Sequence, residues 1–148
     1  MTVVSKGQTL SIVAKNNLAE LDKLCSAVDS FCRTLGLPAK LAFPIKLSVE
    51  EIFVNIVSYG YTDCCEHLIY IDLSLQDDTL IIQIEDDGIP FNPLDIEPPD
   101  FDEPLEVRKT GGLGLHLTKH LMDNICYNRC HGANRLTMHK RLVQSRCA

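Results

Sequence analysis

Leu80-Ile81-Ile82-Gln83-Ile84-Glu85-Asp86-Asp87-Gly88-Ile89-Pro90 is the stretch whose reading decides the fold. Leu80, Ile82 and Ile84 share one parity, the mark of a strand with a covered face, and Asp86 continues that parity. A strand running this far aims the Asp86 carboxylate toward the covered side, where it needs a partner. Gly88 follows at once, a residue type that lets the backbone turn and a ligand come close. Upstream, Ile69, Ile71, Leu73 and Leu75 alternate with Tyr70, Asp72 and Ser74, so the two runs form a β-hairpin around Gln76-Asp77-Asp78-Thr79.

Downstream, Gly88 to Thr110 carries proline at 90, 93, 98, 99 and 104, and no regular element survives that spacing. A loop of this length inside one domain reads as a lid over a site, here at about 88–112. It ends in Gly111-Gly112-Leu113-Gly114-Leu115, just before a helix marked by Leu113, Leu117, Leu121 and Met122. Free backbone N–H groups and the helix dipole at such a start favour phosphate. Ile125 to Cys130 and Leu136 to Val143 predict two closing strands around His131-Gly132-Ala133-Asn134.

Toward the amino terminus, Leu10, Ile12 and Ala14 predict an opening strand. Leu18, Leu21, Leu24, Cys25, Val28, Phe31, Cys32 and Leu35 recur at helical spacing and stop at Gly36 and Pro38. A second helix is expected to begin at Pro44, which is tolerated in a first turn, and to run to about Tyr59 with Leu47, Ile52, Phe53 and Ile56 on its apolar side. Glu51 and Asn55 lie four residues apart on its polar edge and can serve one ligand. The pattern predicts an α/β two-layer sandwich, three main helices on one face of a mixed, mostly antiparallel sheet.

Composition narrows the function. A length of 148 residues with 45% hydrophobic content predicts a single domain over 1–148. The net charge of −6 argues against a nucleic-acid groove, and the basic residues from His139 to Arg146 read as a solvated strand edge. Met1 to Lys6 has no apolar signal core and no stretch reaches membrane-spanning length, so a cytoplasmic protein with reduced thiols and no membrane partner is expected. Of the seven cysteines, Cys25 and Cys32 fall on a buried helix face. Cys126, Cys130 and His131 match no standard zinc spacing.

Glu51-x-x-x-Asn55 on a helix, Asp86-x-Gly88 after a strand, a lid, and Gly112-x-Gly114 before a helix occur here in one order. That order resembles the GHKL ATPase superfamily with its Bergerat, or histidine-kinase-like, ATP-binding fold. Ser48 to Tyr61, Pro90-Phe91-Asn92-Pro93 and Gly111 to Leu117 are most similar to the bacterial anti-sigma-factor serine/threonine kinases. The resemblance implies that Asn55 is a Mg²⁺ ligand, that Glu51 is the general base, and that Asp86 accepts a hydrogen bond from the adenine amino group. It implies contacts to ATP from Gly88, Gly111, Gly112, Leu113, Gly114 and Leu115. Arg108, Lys109 and Thr110 stand where a lid brings cationic and hydroxyl groups to the phosphates, or where they are simply solvated. Thr137 is similar to a family threonine that supports the aspartate, although its parity is opposite to that of Leu136 and Met138. Pro90 departs from the superfamily's frequent third glycine.

The activity implied is transfer of the ATP γ-phosphoryl to a Ser or Thr of a small antagonist protein of the sulfate-transporter and anti-sigma-antagonist (STAS) type. The implied partners are that antagonist, a sigma factor or similar regulator, and a second copy of the chain as a homodimer. The alternative is a nucleotide-dependent binding module without phosphoryl transfer. Retention of Glu51 favours catalysis, because adenine and phosphate contacts do not require it.

Overall fold

The computed structural model describes residues 1–95 and 112–142. Its sheet has six strands in the order β1-β2-β3-β4-β6-β5: β1 Thr2–Lys6, β2 Thr9–Lys15, β3 Leu68–Gln76, β4 Thr79–Asp86, β5 Asn124–Cys130 and β6 Ala133–Arg141. Each neighbouring pair is antiparallel, so the antiparallel majority expected from the hairpins extends to every pairing among the described residues. Among the described residues three α-helices complete the fold: α1 Leu21–Thr34, α2 Ala39–Tyr59 and α3 Gly112–Leu121.

The two layers follow from strand parity. Leu10, Ile12, Ile71, Leu73, Ile82 and Ile84 bury one face of the sheet against Val28 and Phe31 of α1 and Val49 and Phe53 of α2. Each such side chain removes enough apolar surface to contribute about 1.5–3 kcal/mol. The alternate residues form a polar outer face, where Ser11 Oγ donates to Asp72 at 2.6 Å and Arg135 pairs with Glu85 at 2.7 Å. A sheet covered on one side only requires this alternation.

Three sequence expectations change. Strand β1 was not anticipated: all its side chains are exposed, so it carries no period-2 burial signal and is held through its ladder with β2. Helix α2 begins at Ala39 rather than Pro44 and contains the proline. Pro44 is the sixth residue of the helix, so the Lys40 carbonyl loses its i+4 donor; Lys40 is exposed, where water can satisfy that carbonyl, and the Pro44 carbonyl itself accepts from Ser48 Oγ at 2.7 Å. The basic segment is no edge, because β6 lies between β4 and β5, and Lys140 Nζ donates to the Leu121 carbonyl at 2.7 Å, capping the end of α3. Val143 to Arg146 lie outside the described residues. So do residues 96–111, most of the lid expected at about 88–112.

Candidate nucleotide site

Asp86 is the last residue of β4 and follows the burial of Leu80, Ile82 and Ile84, with only 6% of its surface exposed. Its Oδ1 accepts from the backbone N–H of Gly88 at 2.9 Å and from Asn134 Nδ2 at 3.0 Å. Among the described residues both hydrogen bonds fall on Oδ1, which leaves Oδ2 for a ligand's donor. Burial pushes the Asp86 carboxyl above the usual carboxylate range, with Asp87 adding to the effect, while the bonds from Asn134 and Gly88 and the charge of Arg129 oppose it.

Helix α2 faces this carboxylate. Ile52, Asn55 and Ile56 line a narrow, partly open cavity together with Ile84, Asp86, Phe91, Pro93, Tyr127, Asn134 and Leu136. Asn55 is buried. Apolar walls with a few convergent polar groups suit a flat heterocycle bearing hydrogen-bond donors. The relative position of helix and strand is set by a stitch, in which the N–H of Ile89 donates to the carbonyl of Gly60 at 2.8 Å. Gly88 makes the stitch possible. A Cβ on it would overlap the Gly60 carbonyl oxygen and stand 2.8 Å from Asp86 Oδ1.

One turn before Asn55, the half-buried Glu51 reaches α3. Its carboxylate occupies the space beside Gly114 where a Cβ would otherwise sit. Burial, and then the charge of neighbouring Glu50, raise its carboxyl, the direction a general base near neutral pH requires. Thr118 Oγ1 donates to the Gly114 carbonyl at 3.0 Å, fixing that turn of α3. Gly114, without a side chain in the first turns of α3, leaves room for that Glu51 carboxylate against the helix.

Next to Asp86, Asp87 belongs to a second cluster. His67 Nδ1 lies 3.1 Å from Asp87 Oδ1 and Nε2 lies 2.8 Å from Asp63 Oδ1, and the ring stacks on Tyr61 with centroids 4.4 Å apart. Carboxylates on both ring nitrogens favour the imidazolium, and Asp63 first, then Asp87, raise its pKa from 6.5.

The structure therefore brings Asn55 and Asp86 onto one cavity, Gly88 against Asp86, and Glu51 against Gly114. Leu115 is in the core, so its side chain is not free to meet a ligand. Arg108, Lys109, Thr110 and Gly111 lie outside the described residues, as does the side chain of Leu113. Thr137 does not support Asp86: it stands on the outer face, opposite Gln83 and Cys126. That role falls to Asn134, the cross-strand partner of Asp86. Sequence reasoning assigned Asn134 to a turn, yet its parity with Leu136 and Met138 was the same signal that singled out Asp86. It also missed Tyr127 and Arg129, whose side chains donate to Asn134 Oδ1 at 2.5 and 2.8 Å.

With this geometry in place, the likeness to known proteins has a physical referent. The family model for the histidine kinase-like ATPase domain matches residues 14–140. The chain is similar to serine/threonine-protein kinase BtrW of Bordetella bronchiseptica, with 31% identity over 100 residues covering 68% of this chain and 70% of that protein. It is similar to serine-protein kinase RsbW of Listeria monocytogenes at 26% identity over 121 residues, 79% of this chain and 76% of the relative. A third relative is the anti-sigma F factor of Oceanobacillus iheyensis, 31% identical over 103 residues, 67% and 68% of the two chains. Among solved structures, the RsbU and RsbW domains of Rv1364c from Mycobacterium tuberculosis superpose with a TM-score of 0.68 at 16% identity, over 93% of this chain and 33% of that one. A blue-light activated histidine kinase from Erythrobacter litoralis gives 0.59 at 19% identity, over 88% and 43%. The chain thus spans less than half of these solved chains, which share its fold. The family model spans nearly all of the chain and the kinases BtrW and RsbW match most of it: the chain belongs to the histidine kinase-like ATPase domain family.

Proposed function

We propose that the chain is an ATP- and Mg²⁺-dependent protein serine/threonine kinase of the anti-sigma-factor type. In this reading it transfers the ATP γ-phosphoryl to a Ser or Thr of a small STAS-type antagonist and, in another state, holds a sigma factor or similar regulator. Such a role places it in the cytoplasm, in transcription regulation, and a homodimer fits the family. The carrying observation is that Asn55 and Asp86 line one cavity while Glu51, one turn from Asn55, lies against Gly114.

Asp86 Oδ2 accepts from the adenine amino group, with Oδ1 already occupied by Gly88 and Asn134. The apolar wall of Ile52, Ile56 and Leu136 covers the ring. Asn55 would hold Mg²⁺ through its side-chain oxygen; the ion, when bound, screens the charge of the phosphates. Gly111, Gly112, Leu113 and Gly114 offer backbone N–H groups to the phosphates, and Arg108, Lys109 and Thr110 add charge and a hydroxyl from the lid. Glu51 takes the proton of the acceptor hydroxyl as its oxygen bonds to the γ-phosphorus. The bond to the β–γ bridging oxygen breaks, and ADP leaves with that electron pair.

Mixing the protein with labelled Mg-ATP and candidate STAS domains, beside Glu51→Ala, tests this reading. The variant keeps nucleotide affinity and loses transfer. Unchanged transfer in Glu51→Ala rejects Glu51 as the base. Nucleotide binding without transfer to any acceptor favours the binding-only module.

A further inference from the structure

The loop that carries the chain from α2 to β3 holds two adjacent thiols, Cys64 and Cys65, both exposed and both lining one open cleft with Lys15, Asn17 and Glu66. The backbone bends here, so the two side chains are not sent to opposite sides as they are along a strand. The other described cysteines lack such a neighbour. Cys126 and Cys130 stand roughly 13 Å apart along β5, and Cys25 and Cys32 roughly 10 Å apart along α1, beyond the reach of a disulfide. Cys65 is also linked to the nucleotide site. Its N–H donates to Asp63 Oδ1 at 3.3 Å, the same oxygen that lies 2.8 Å from His67 Nε2. Its carbonyl accepts from Asn16 Nδ2 at 3.3 Å, and Oδ1 of that amide accepts from the His67 N–H at 2.8 Å. Both backbone groups of Cys65 thus share a partner with His67, whose Nδ1 meets Asp87 beside Asp86.

We propose that Cys64 and Cys65 are a reversible redox pair, closed to a vicinal disulfide by a peroxide, and that closure disturbs the His67–Asp87 contact and weakens nucleotide binding. The second half rests on the nucleotide reading above; the first does not. One thiolate sulfur attacks a peroxide oxygen, the O–O bond breaks, and a sulfenic acid forms as the first water leaves. The neighbouring sulfur then displaces hydroxide from the sulfenic sulfur, which forms the S–S bond and releases a second water. Two electrons pass from the sulfurs to the peroxide, and both thiol protons end in the waters. A small thiol of the glutathione class reverses the step, two molecules leaving as their own disulfide. Adjacent Cα atoms stand about 3.8 Å apart across a trans peptide, whereas a disulfide usually spans roughly 4.4–6.8 Å, so this ring closes only with strain. A strained, exposed disulfide is easily reduced, which suits a switch and not a staple. The ring contains the Cys64–Cys65 peptide bond, so the Cys65 N–H turns with it and Asp63 Oδ1 loses that donor.

The test treats the reduced full chain with hydrogen peroxide, blocks the remaining thiols with iodoacetamide and digests with trypsin, which leaves Cys64 and Cys65 as the sole cysteines of the fragment Leu47–Arg108. That fragment is expected to carry no alkyl group, to be lighter by two hydrogens than its reduced form, and to take an alkyl group on each cysteine once dithiothreitol has opened it. Alkylation of both cysteines straight after peroxide, sulfinic and sulfonic acids alone, or a bridge to a second chain overturns the pair. In parallel, Kd for Mg-ATP by titration calorimetry is expected to rise about threefold on oxidation, the weight of an exposed charge pair, and to return on reduction. Circular dichroism shows that the oxidised chain is folded. Cys64→Ser is expected to match the reduced parent before and after peroxide. His67→Gln, which lacks the contact to Asp87, closes the disulfide with no further change in Kd. A closed disulfide with an unchanged Kd in the parent, or the parent's full change in Cys64→Ser, overturns the coupling. A reduced parent that binds no Mg-ATP sinks the nucleotide reading instead, and the fragment mass still decides the pair.

Discussion

Replacing Gly114 by alanine perturbs the site at one methyl group. That Cβ would overlap the Glu51 carboxylate carbon and Oε2 and stand 2.5 Å from Oε1, so the carboxylate must move. Because the obstacle is the end of a flexible side chain, the fold absorbs the change by a rotation of Glu51. Helical glycine costs up to about 1 kcal/mol relative to alanine, so the melting temperature is expected to hold or rise slightly. Catalysis does not have that freedom. A carboxylate forced from inside 2.5 Å to ordinary van der Waals contact beyond 3.4 Å moves by roughly 1 Å, and a misplacement of that size costs on the order of 10²-fold. The barrier then rises by about 2.7 kcal/mol. Single-turnover transfer from labelled ATP to the acceptor domain, read beside a thermal melt, measures both quantities. Gly88→Ala is the contrasting control: its Cβ would meet the rigid Gly60 carbonyl, so it is expected to lose stability first. A Gly114→Ala protein that melts normally and transfers at the parent rate would show that Glu51 does not act from this position.

Asp86→Asn is expected to raise the melting temperature of the ligand-free protein while abolishing ATP binding. An acid whose folded pKa is raised gives its full support to the fold only when protonated, and loses it as pH climbs through the folded pKa, so at neutral pH the ionised Asp86 is a cost that asparagine removes. The His67 bracket works over a window. Its raised pKa makes its contribution complete below 6.5 and lost as pH rises through the folded value, while the lowered carboxyl of Asp63 contributes above 3.8. The difference in urea midpoint between the parent and His67→Gln is therefore expected to be largest between those values and to shrink at alkaline pH; a difference growing above neutrality would contradict the assignment. Phe53→Ala, at a fully buried site between α2 and the sheet, is expected to cost about 3–5 kcal/mol in denaturant unfolding. Lys140→Met removes the cap on Leu121 and is expected to cost roughly 1 kcal/mol, with hydrogen exchange rising at the end of α3 rather than in the sheet.

The sequence was most legible where burial imposes a period. Parity alone aims Asp86 inward, where it is buried, and the Glu51–Asn55 spacing puts both residues on one side of α2. Legibility failed where the period is silent or local rules mislead. Strand β1 is exposed throughout, so its pairing with β2 rests on main-chain bonds that no side-chain pattern announces. Pro44 looked like a helix start because proline is well suited to a first turn, yet α2 starts at Ala39 and passes through it, the lost bond falling on the carbonyl of the exposed Lys40. The closing hairpin shows the conflict most clearly. Its turn residues are His131 and Gly132, with φ of 52° and 77°, a pair of left-handed residues that a two-residue loop needs. Extending the turn to Asn134 hid a buried amide inside what read as loop, and with it the network of Tyr127 and Arg129.

That network and the Gly60–Ile89 stitch impose a common geometry on two tasks. In the proposed reading the purine contacts Asp86 on the sheet while Glu51 and Asn55 act from α2, so the distance from ring to phosphate would be measured across the interface between the layers. The Ile89–Gly60 bond that Gly88 permits holds helix and strand together, three residues beyond Asp86. A shift of the turn therefore moves recognition and transfer together. Arg129 donates to the Gly88 carbonyl, so it holds the same turn. Nucleotide affinity and the rate of phosphoryl transfer should consequently covary across substitutions at Gly60, Gly88 and Arg129. Substitutions at Glu51 or Gly114 should change rate alone. Independent variation within the first group would mean that helix and sheet locate the nucleotide separately, against the coupling that a single stitch requires.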